Sequence, residues 1–152
     1  HFGFSFAAQA AEVEVDTETG EVTVLQLAAA HDIGRAINPL GLQAQIEGGM
    51  IMGLGHALTE EFIVEDGIPF TDYLARYKMP SIKHAPKITS FIVEHETADG
   101  PYGAKGVGEI ASIPTIPAIT NAIYNAVGVR VTRLPVDQEK LLLAMKRGEK
   151  EC

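Results

Sequence analysis

Cysteine is almost missing from this chain: of 152 residues only Cys152, the last, is one. A single thiol excludes an internal disulfide framework and a cysteine-held metal cluster. Positive charge is scarce too, with 12 Lys and Arg against 20 Asp and Glu and a net charge of −8. Nucleic acid and anionic membrane surfaces both require basic patches, so neither is expected as a partner. No apolar run approaches the length of a bilayer span and no signal peptide opens the chain; a cytoplasmic setting fits best. An initial Met is also lacking, and "HFGFSFAAQAAEVEVD" enters directly what reads as a strand. Domains usually begin with a few loose residues, so the chain reads as one cut from something longer. What remains is ordinary for a folded domain: 46% hydrophobic and 21% charged residues, in a length that supports one core.

The pattern along the chain predicts a single α+β unit with mixed or antiparallel strands and packed helices. "AAEVEVD" and "EVTVLQLAAAHD" read as a hairpin whose turn holds Thr19-Gly20. Asn38 followed by Pro39 is a helix start, with the amide as cap and the proline at the first helical position. Leu42, Ile46, Met50, Leu54 and Leu58 recur four apart, as on one face of a helix. Gly48, Gly49, Gly53 and Gly55 interrupt it, each costing about 1 kcal/mol relative to Ala. They imply close approach of another element or a ligand, with tight helix packing the reading for most of them. Asp66-Gly67 marks a turn out of a short strand, and Pro80 and Pro86 break the segment that follows. "ITSFIVEHE" alternates as a strand, a helix is expected from about Pro117 to a stop at Gly128, and "VRVTRL" is expected as a short strand. "PVDQEKLLLAMKRG" is a final amphipathic helix, acids first and bases last, as its dipole favours.

Few residues offer chemistry. The five histidines, His1, His31, His56, His84 and His95, show no helical zinc spacing, so no metal held by side chains is expected. His31-Asp32 falls at a strand end, where Asp32 is equally suited to binding loop amides. No serine sits in a nucleophile elbow. The loop "GPYGAKGVGE" matches neither the P-loop nor the dinucleotide fingerprint. Its glycines would let backbone N–H groups converge on an anion or polar cofactor, and it ends on Glu109. A carboxylate partly desolvated there could serve as a general base. On physics alone a loop glutamate capping the following turn is the stronger reading of Glu109, and composition and spacing take the argument no further.

Three stretches in order, "HDIGRAINP", "GLQAQIEGGMIMGLGHALTEE" and "GAKGVGEIASIPTIPAITNAI", resemble the C-terminal part of the molybdopterin-binding subunit of the molybdenum hydroxylases, the xanthine dehydrogenase and aldehyde oxidase family. The similarity runs from "FSFAAQAAEVEVD" to "LPVDQEKLLLAM", nearly the whole chain. It implies a molybdenum ion anchored by pterin sulfurs, which needs no cysteine from the protein. It implies Glu109 as the general base toward the metal's hydroxyl ligand. Gln45 and the backbone of Gly106, Val107 and Gly108 would lie against the cofactor, with the cytosine dinucleotide form of the pterin expected. His31, Asp32 and Asn38 would shape the site rather than react. The substrates implied are a purine, another N-heterocycle or an aldehyde. Family subunits are several times longer, and the arginine and phenylalanines of their other half, the iron–sulfur cysteines and the flavin domain have no counterpart here. Residues 1–152 are therefore expected to be one segment of a larger molybdopterin-binding domain, inactive alone. The partners implied are the rest of that domain and iron–sulfur and FAD domains or subunits. A non-catalytic interaction domain that kept the fold is the alternative, against which the joint presence of Glu109, its glycine loop and Gln45 argues.

Overall fold

The computed structural model describes residues 3–152; His1, one of the five histidines considered above, and Phe2 lie outside the described residues. A long hairpin forms the centre. Strand β1 (Phe6–Val15) pairs antiparallel with β2 (Val22–Asp32), setting Ala8 opposite Ala30 and Gln9 opposite Ala29. The turn closes because the Asp16 carboxylate accepts from the Glu18 and Thr19 amides at 2.7 and 3.1 Å, while Gly20 takes a positive φ of 79°. A side chain at Gly20 would collide with the Gln138 carbonyl, so this turn admits little else.

Helix α1 (Pro39–Leu58) starts where expected. Asn38 accepts from the Gly41 amide at 3.0 Å, and Pro39 occupies the first turn, where a missing N–H costs nothing. Its buried stripe, Ile46, Met50, Leu54 and Ala57, lies on the core, to which Leu27 and Ala29 of β2 contribute. After α1 the chain leaves the body as a small hairpin, β3 (Val64–Glu65) and β4 (Ile68–Pro69), turning on Asp66 and Gly67 at φ 50° and 80°. A one-turn helix, α2 (Leu74–Tyr77), follows. This arm exposes Phe62, Ile68, Phe70, Leu74 and Ile82, the last at 91%.

Strand β5 (Lys87–Val93) returns to pair parallel with β2, Ala30 beside Phe91, so the sheet order is β1-β2-β5 and the sheet is mixed. Helix α3 (Thr115–Val127) lies across β1 on the same face as α1, two residues longer at its start than the pattern around Pro117 indicated. It stops at Gly128 (φ 73°), as expected. Helix α4 (Gln138–Arg147) is capped by Asp137, which accepts from the Lys140 amide at 3.0 Å, and buries Leu141 and Ala144 in the same core. The segment "VRVTRL" is not a strand. It forms one isolated parallel bridge, Arg130 with Glu151, because the hydrogen bonds of Arg130 and Thr132 go to the chain's last residues instead of the sheet.

The sheet's inner face thus carries α1 and α3, with Ile119 and Ile123 of α3 fully buried. On the outer face Phe6, Phe91 and Val93 remain exposed around a floor of alanines, Ala8, Ala10, Ala28 and Ala30. Leu27 to Ala30 of β2 run apolar without a break, a pattern suited to a strand covered on both faces.

Candidate functional site

The close spacing of glycines in α1 has a definite cause. A Cβ on Gly49 would lie 2.5 Å from the Cβ of Ala111, and one on Gly53 would lie 2.6 Å from the Cβ of Thr115. Gly49 and Gly53 therefore serve packing against the segment 111–115 that follows the glycine loop, while a Cβ on Gly55 would strike the Glu60 side chain. Gly48, one residue from Gly49, meets nothing within 4 Å.

That packing fixes a single 3-10 turn, Glu109–Ala111. Ala111 is fully buried. Its carbonyl accepts from Gln9 Nε2 at 2.6 Å, and Gln9 Oε1 accepts from the Thr115 hydroxyl at 2.6 Å. The Ser112 amide and hydroxyl both donate to the Glu109 carbonyl, at 2.9 and 2.8 Å. The turn is thus held from below, and the Glu109 side chain stands exposed at its start. Among the described residues its carboxylate enters no hydrogen bond or ion pair, so it does not cap the turn it opens.

Before Glu109 the loop is anchored to the end of β2. The backbone of 103–105 runs beside that of 33–35: the Lys105 amide donates to the Ile33 carbonyl at 2.9 Å, and the Arg35 amide to the Gly103 carbonyl at 3.1 Å. Gly34, at φ 68°, is needed because a Cβ would strike that Gly103 carbonyl. The Lys105 ammonium reaches Asp32 Oδ2 at 2.6 Å, with only 6% and 13% of the two side chains exposed. Asp32 Oδ1 accepts from the Gly34 amide at 3.1 Å, the loop-amide role expected of it. Burial pushes the Asp32 carboxyl up, but the Lys105 ammonium and the Gly34 amide outweigh it and hold it below the usual range.

His31, the preceding residue on the inner face, is fully buried, and neither ring nitrogen reaches a hydrogen-bond partner. Burial lowers its pKa, and the facing backbone of Ile110 offsets this in part. The imidazole thus faces Ile110, in the turn that carries Glu109.

Between the anchors, Val107 packs on the core while Gly106 and Gly108 are exposed, and a Cβ on either would meet nothing within 4 Å. Neither shows a positive φ, so nothing within this chain requires glycine at these two positions through contact or the left-handed region. Among the described residues no partner takes the N–H groups of Gly106, Val107 and Gly108. Gln45 is exposed on α1, one turn before Gly49, on the stripe that meets Ala111. Glu109 and the backbone of 106–108 are neighbours in the chain, and Gln45 stands exposed one helical turn before the glycine that packs on Ala111. Among the described residues no cluster of three or more His, Cys, Asp or Glu could hold a metal directly. Where the sequence reading was silent was on Gln9, Thr115 and Lys105. A glutamine on the inward row of β1 between Ala7 and Ala11 was the one local signal that a polar group is held there. A separate concavity lies at the other end of α1, lined by Leu58, Arg76, Arg133, Asp137 and Cys152.

An exposed carboxylate thus stands beside three amides that no described residue takes up. The chain belongs to the molybdopterin cofactor-binding domain family, whose model matches residues 1–86. It is 41% identical over 147 residues to a probable xanthine dehydrogenase component of Bacillus subtilis, covering 97% of this chain and 20% of that one. The gamma subunit of the 6-hydroxypseudooxynicotine dehydrogenase complex of Paenarthrobacter nicotinovorans is 38% identical over 142 residues, 91% of this chain and 18% of the relative. Among solved structures, the aldehyde oxidoreductase of Desulfovibrio gigas superposes with a TM-score of 0.87 at 40% identity, over 93% of this chain and 15% of that one. The chain spans about a fifth of the length of the curated relatives it matches. The resemblance found in its motifs and the α+β fold both hold.

The backbone of 106–108 leaves room for a pterin group: a Cβ on Gly106 or Gly108 would meet nothing within 4 Å, and no described residue takes up the three amides.

Proposed function

We propose that this chain contributes one wall of the molybdopterin pocket of a xanthine dehydrogenase-like hydroxylase, with Glu109 as its general base. When bound, the molybdenum–pterin group supplies the two-electron redox centre and the site at which water-derived oxygen enters the substrate. The chain's own share is to hold and orient. Gly106, Val107 and Gly108 offer amides without side chains in the way, and Gln45 offers an uncharged amide that can donate to an oxo or pterin oxygen. Glu109 accepts a proton at its exposed carboxylate, which no other described residue engages. Enclosure by the rest of the subunit would remove water and strengthen that interaction.

The observation that carries this reading is the pair of open glycines flanking Val107 immediately before an unpartnered Glu109. The substrate class is an electron-poor carbon next to a ring nitrogen or in an aldehyde, with a purine first. That order leans on relatives named for xanthine, 6-hydroxypseudooxynicotine and aldehydes. The cofactor would be the cytosine dinucleotide form, and iron–sulfur clusters and FAD would sit on other domains or subunits. The exposed apolar arm and the uncovered outer face of the sheet favour burial against the remainder of such a subunit, so the chain alone is inactive. No helix is long and apolar enough to cross a membrane among the described residues, and the acidic balance leaves nucleic acid without a basic surface. We place the enzyme in the cytoplasm.

The test is Glu109→Gln in the complete enzyme. Removing a general base costs about 10²–10⁴-fold in turnover. That loss is expected with molybdenum content unchanged; full turnover with purines and aldehydes would remove Glu109 from the chemistry.

A further inference from the structure

We propose that the Asp32–Lys105 ion pair is a positioning clamp that fixes where Glu109 stands; this rests on the reading of Glu109 as the base. Two features make a clamp necessary. First, the four residues from Gly106 to Glu109 include two glycines whose side-chain positions touch nothing, so the loop has little packing of its own. Second, the turn beginning at Glu109 is held from its far side, at Ala111 against Gly49 and Gln9 and by Ser112 on the Glu109 carbonyl. The position of Glu109 is therefore set by what holds the loop on its near side. There the contacts are Val107 in the core, the exposed Ser5 hydroxyl on the Gly106 carbonyl at 3.2 Å, and Lys105.

Lys105 is the strongest of these anchors. Its amide is bound to Ile33 and its ammonium to Asp32 at 2.6 Å, so one residue is gripped through backbone and side chain by the same strand end. Asp32 is gripped in turn, by the Gly34 amide. Near-buried and charge-assisted, the bond is short and directional, and loss of either partner leaves a charge without a mate in a nearly dry place. Neither Asp32 nor Lys105 need touch substrate or cofactor for this. They act through Glu109, four residues beyond Lys105. A displacement of about 1 Å at a reacting group can cost about 10²-fold in rate.

The experiment uses the complete holoenzyme carrying Lys105→Met, Asp32→Asn, both together, and Lys105→Arg. Four quantities are read for each: kcat, KM, molybdenum content, and hydrogen exchange of the amides in 103–109. Lys105→Met and Asp32→Asn are expected to lower kcat by about 10²-fold, leave KM and molybdenum nearly unchanged, and speed exchange in the loop. The two effects should not multiply in the double variant, since both break one bond. Lys105→Arg, which keeps the charge, is expected to recover most of kcat. Unchanged kcat and loop exchange in the single variants would overturn the proposal. So would kcat and molybdenum content falling in step while KM rises in every variant, the mark of general structural damage. Should Lys105→Met not accumulate, Asp32→Glu serves: it keeps the charge but moves the carboxylate by one methylene, and a kcat indistinguishable from the parent would overturn the clamp. Failure of the underlying reading is separate, because full turnover in Glu109→Gln would leave the loop-exchange result standing.

Discussion

Two adjacent glycines of α1 should respond in opposite directions to the same change. At Gly48 a Cβ meets nothing within 4 Å, so Gly48→Ala gains only the helix preference of alanine, about 1 kcal/mol. At Gly49 the new carbon would sit 2.5 Å from Ala111 Cβ, 3.2 Å from the Ala111 carbonyl carbon and 3.3 Å from the Ser112 amide nitrogen. Non-bonded carbons settle about 3.5–4.0 Å apart, so the helix and the turn must separate by about 1 Å. Overpacking of this kind costs about 1–3 kcal/mol, which the helix preference offsets by about 1. Gly49→Ala is thus expected to destabilise by up to about 2 kcal/mol, the difference of those ranges. Equilibrium urea unfolding of the 152-residue chain reads this as midpoints moving apart with unchanged slope. Because the displaced atoms lie two residues from Glu109, Gly49→Ala should also lower turnover of the complete enzyme while Gly48→Ala need not. Equal shifts of the two midpoints in one direction would show that α1 does not rest on Ala111 as described.

Three further outcomes follow from the same geometry. Gly106→Ala should leave the stability of the chain within about 0.5 kcal/mol, since its side-chain position is open, yet reduce molybdenum bound by the complete enzyme; equal metal content by mass spectrometry would mean that nothing lies against that backbone. His31 is buried with its pKa lowered, so its folded form binds protons less readily than its unfolded form. Its contribution is present above the ordinary histidine value of about 6.5 and is lost as pH falls from there through the folded value; unfolding titrations between neutral and acid pH should show that loss, reduced in His31→Leu. Asn38→Ala removes the acceptor for the Gly41 amide and should cost about 1 kcal/mol in the same urea measurement.

What was readable in the sequence was local. The β1–β2 turn, the Asn38-Pro39 start of α1 and the Asp137 and Gly148 ends of α4 all depend on a few neighbouring residues with fixed conformational preferences. The parallel pairing of β5 with β2 was not readable, because it joins segments separated by α1 and the arm and no short-range pattern encodes it. "VRVTRL" failed as a strand for a related reason: β propensity forms a strand only where an edge is available, and the chain's last residues take those hydrogen bonds. For the site, Glu109 and its glycines stood out in the sequence, but propensity alone could not sort glycines that pack, such as Gly49 and Gly53, from those that stay open, such as Gly106 and Gly108. The Lys105–Asp32 bond spans 73 positions and the Gln9–Thr115 bond 106, so only the fold brings them together.

The position of the cofactor relative to residues 106–109 in a structure of the complete enzyme bears most directly on the proposed function. The expected result is a molybdopterin lying against the backbone of Gly106 to Gly108, with the Glu109 carboxylate within about 3 Å of a ligand of the metal. Another protein segment packed into the open glycine positions, with Glu109 directed away from the metal, would contradict it.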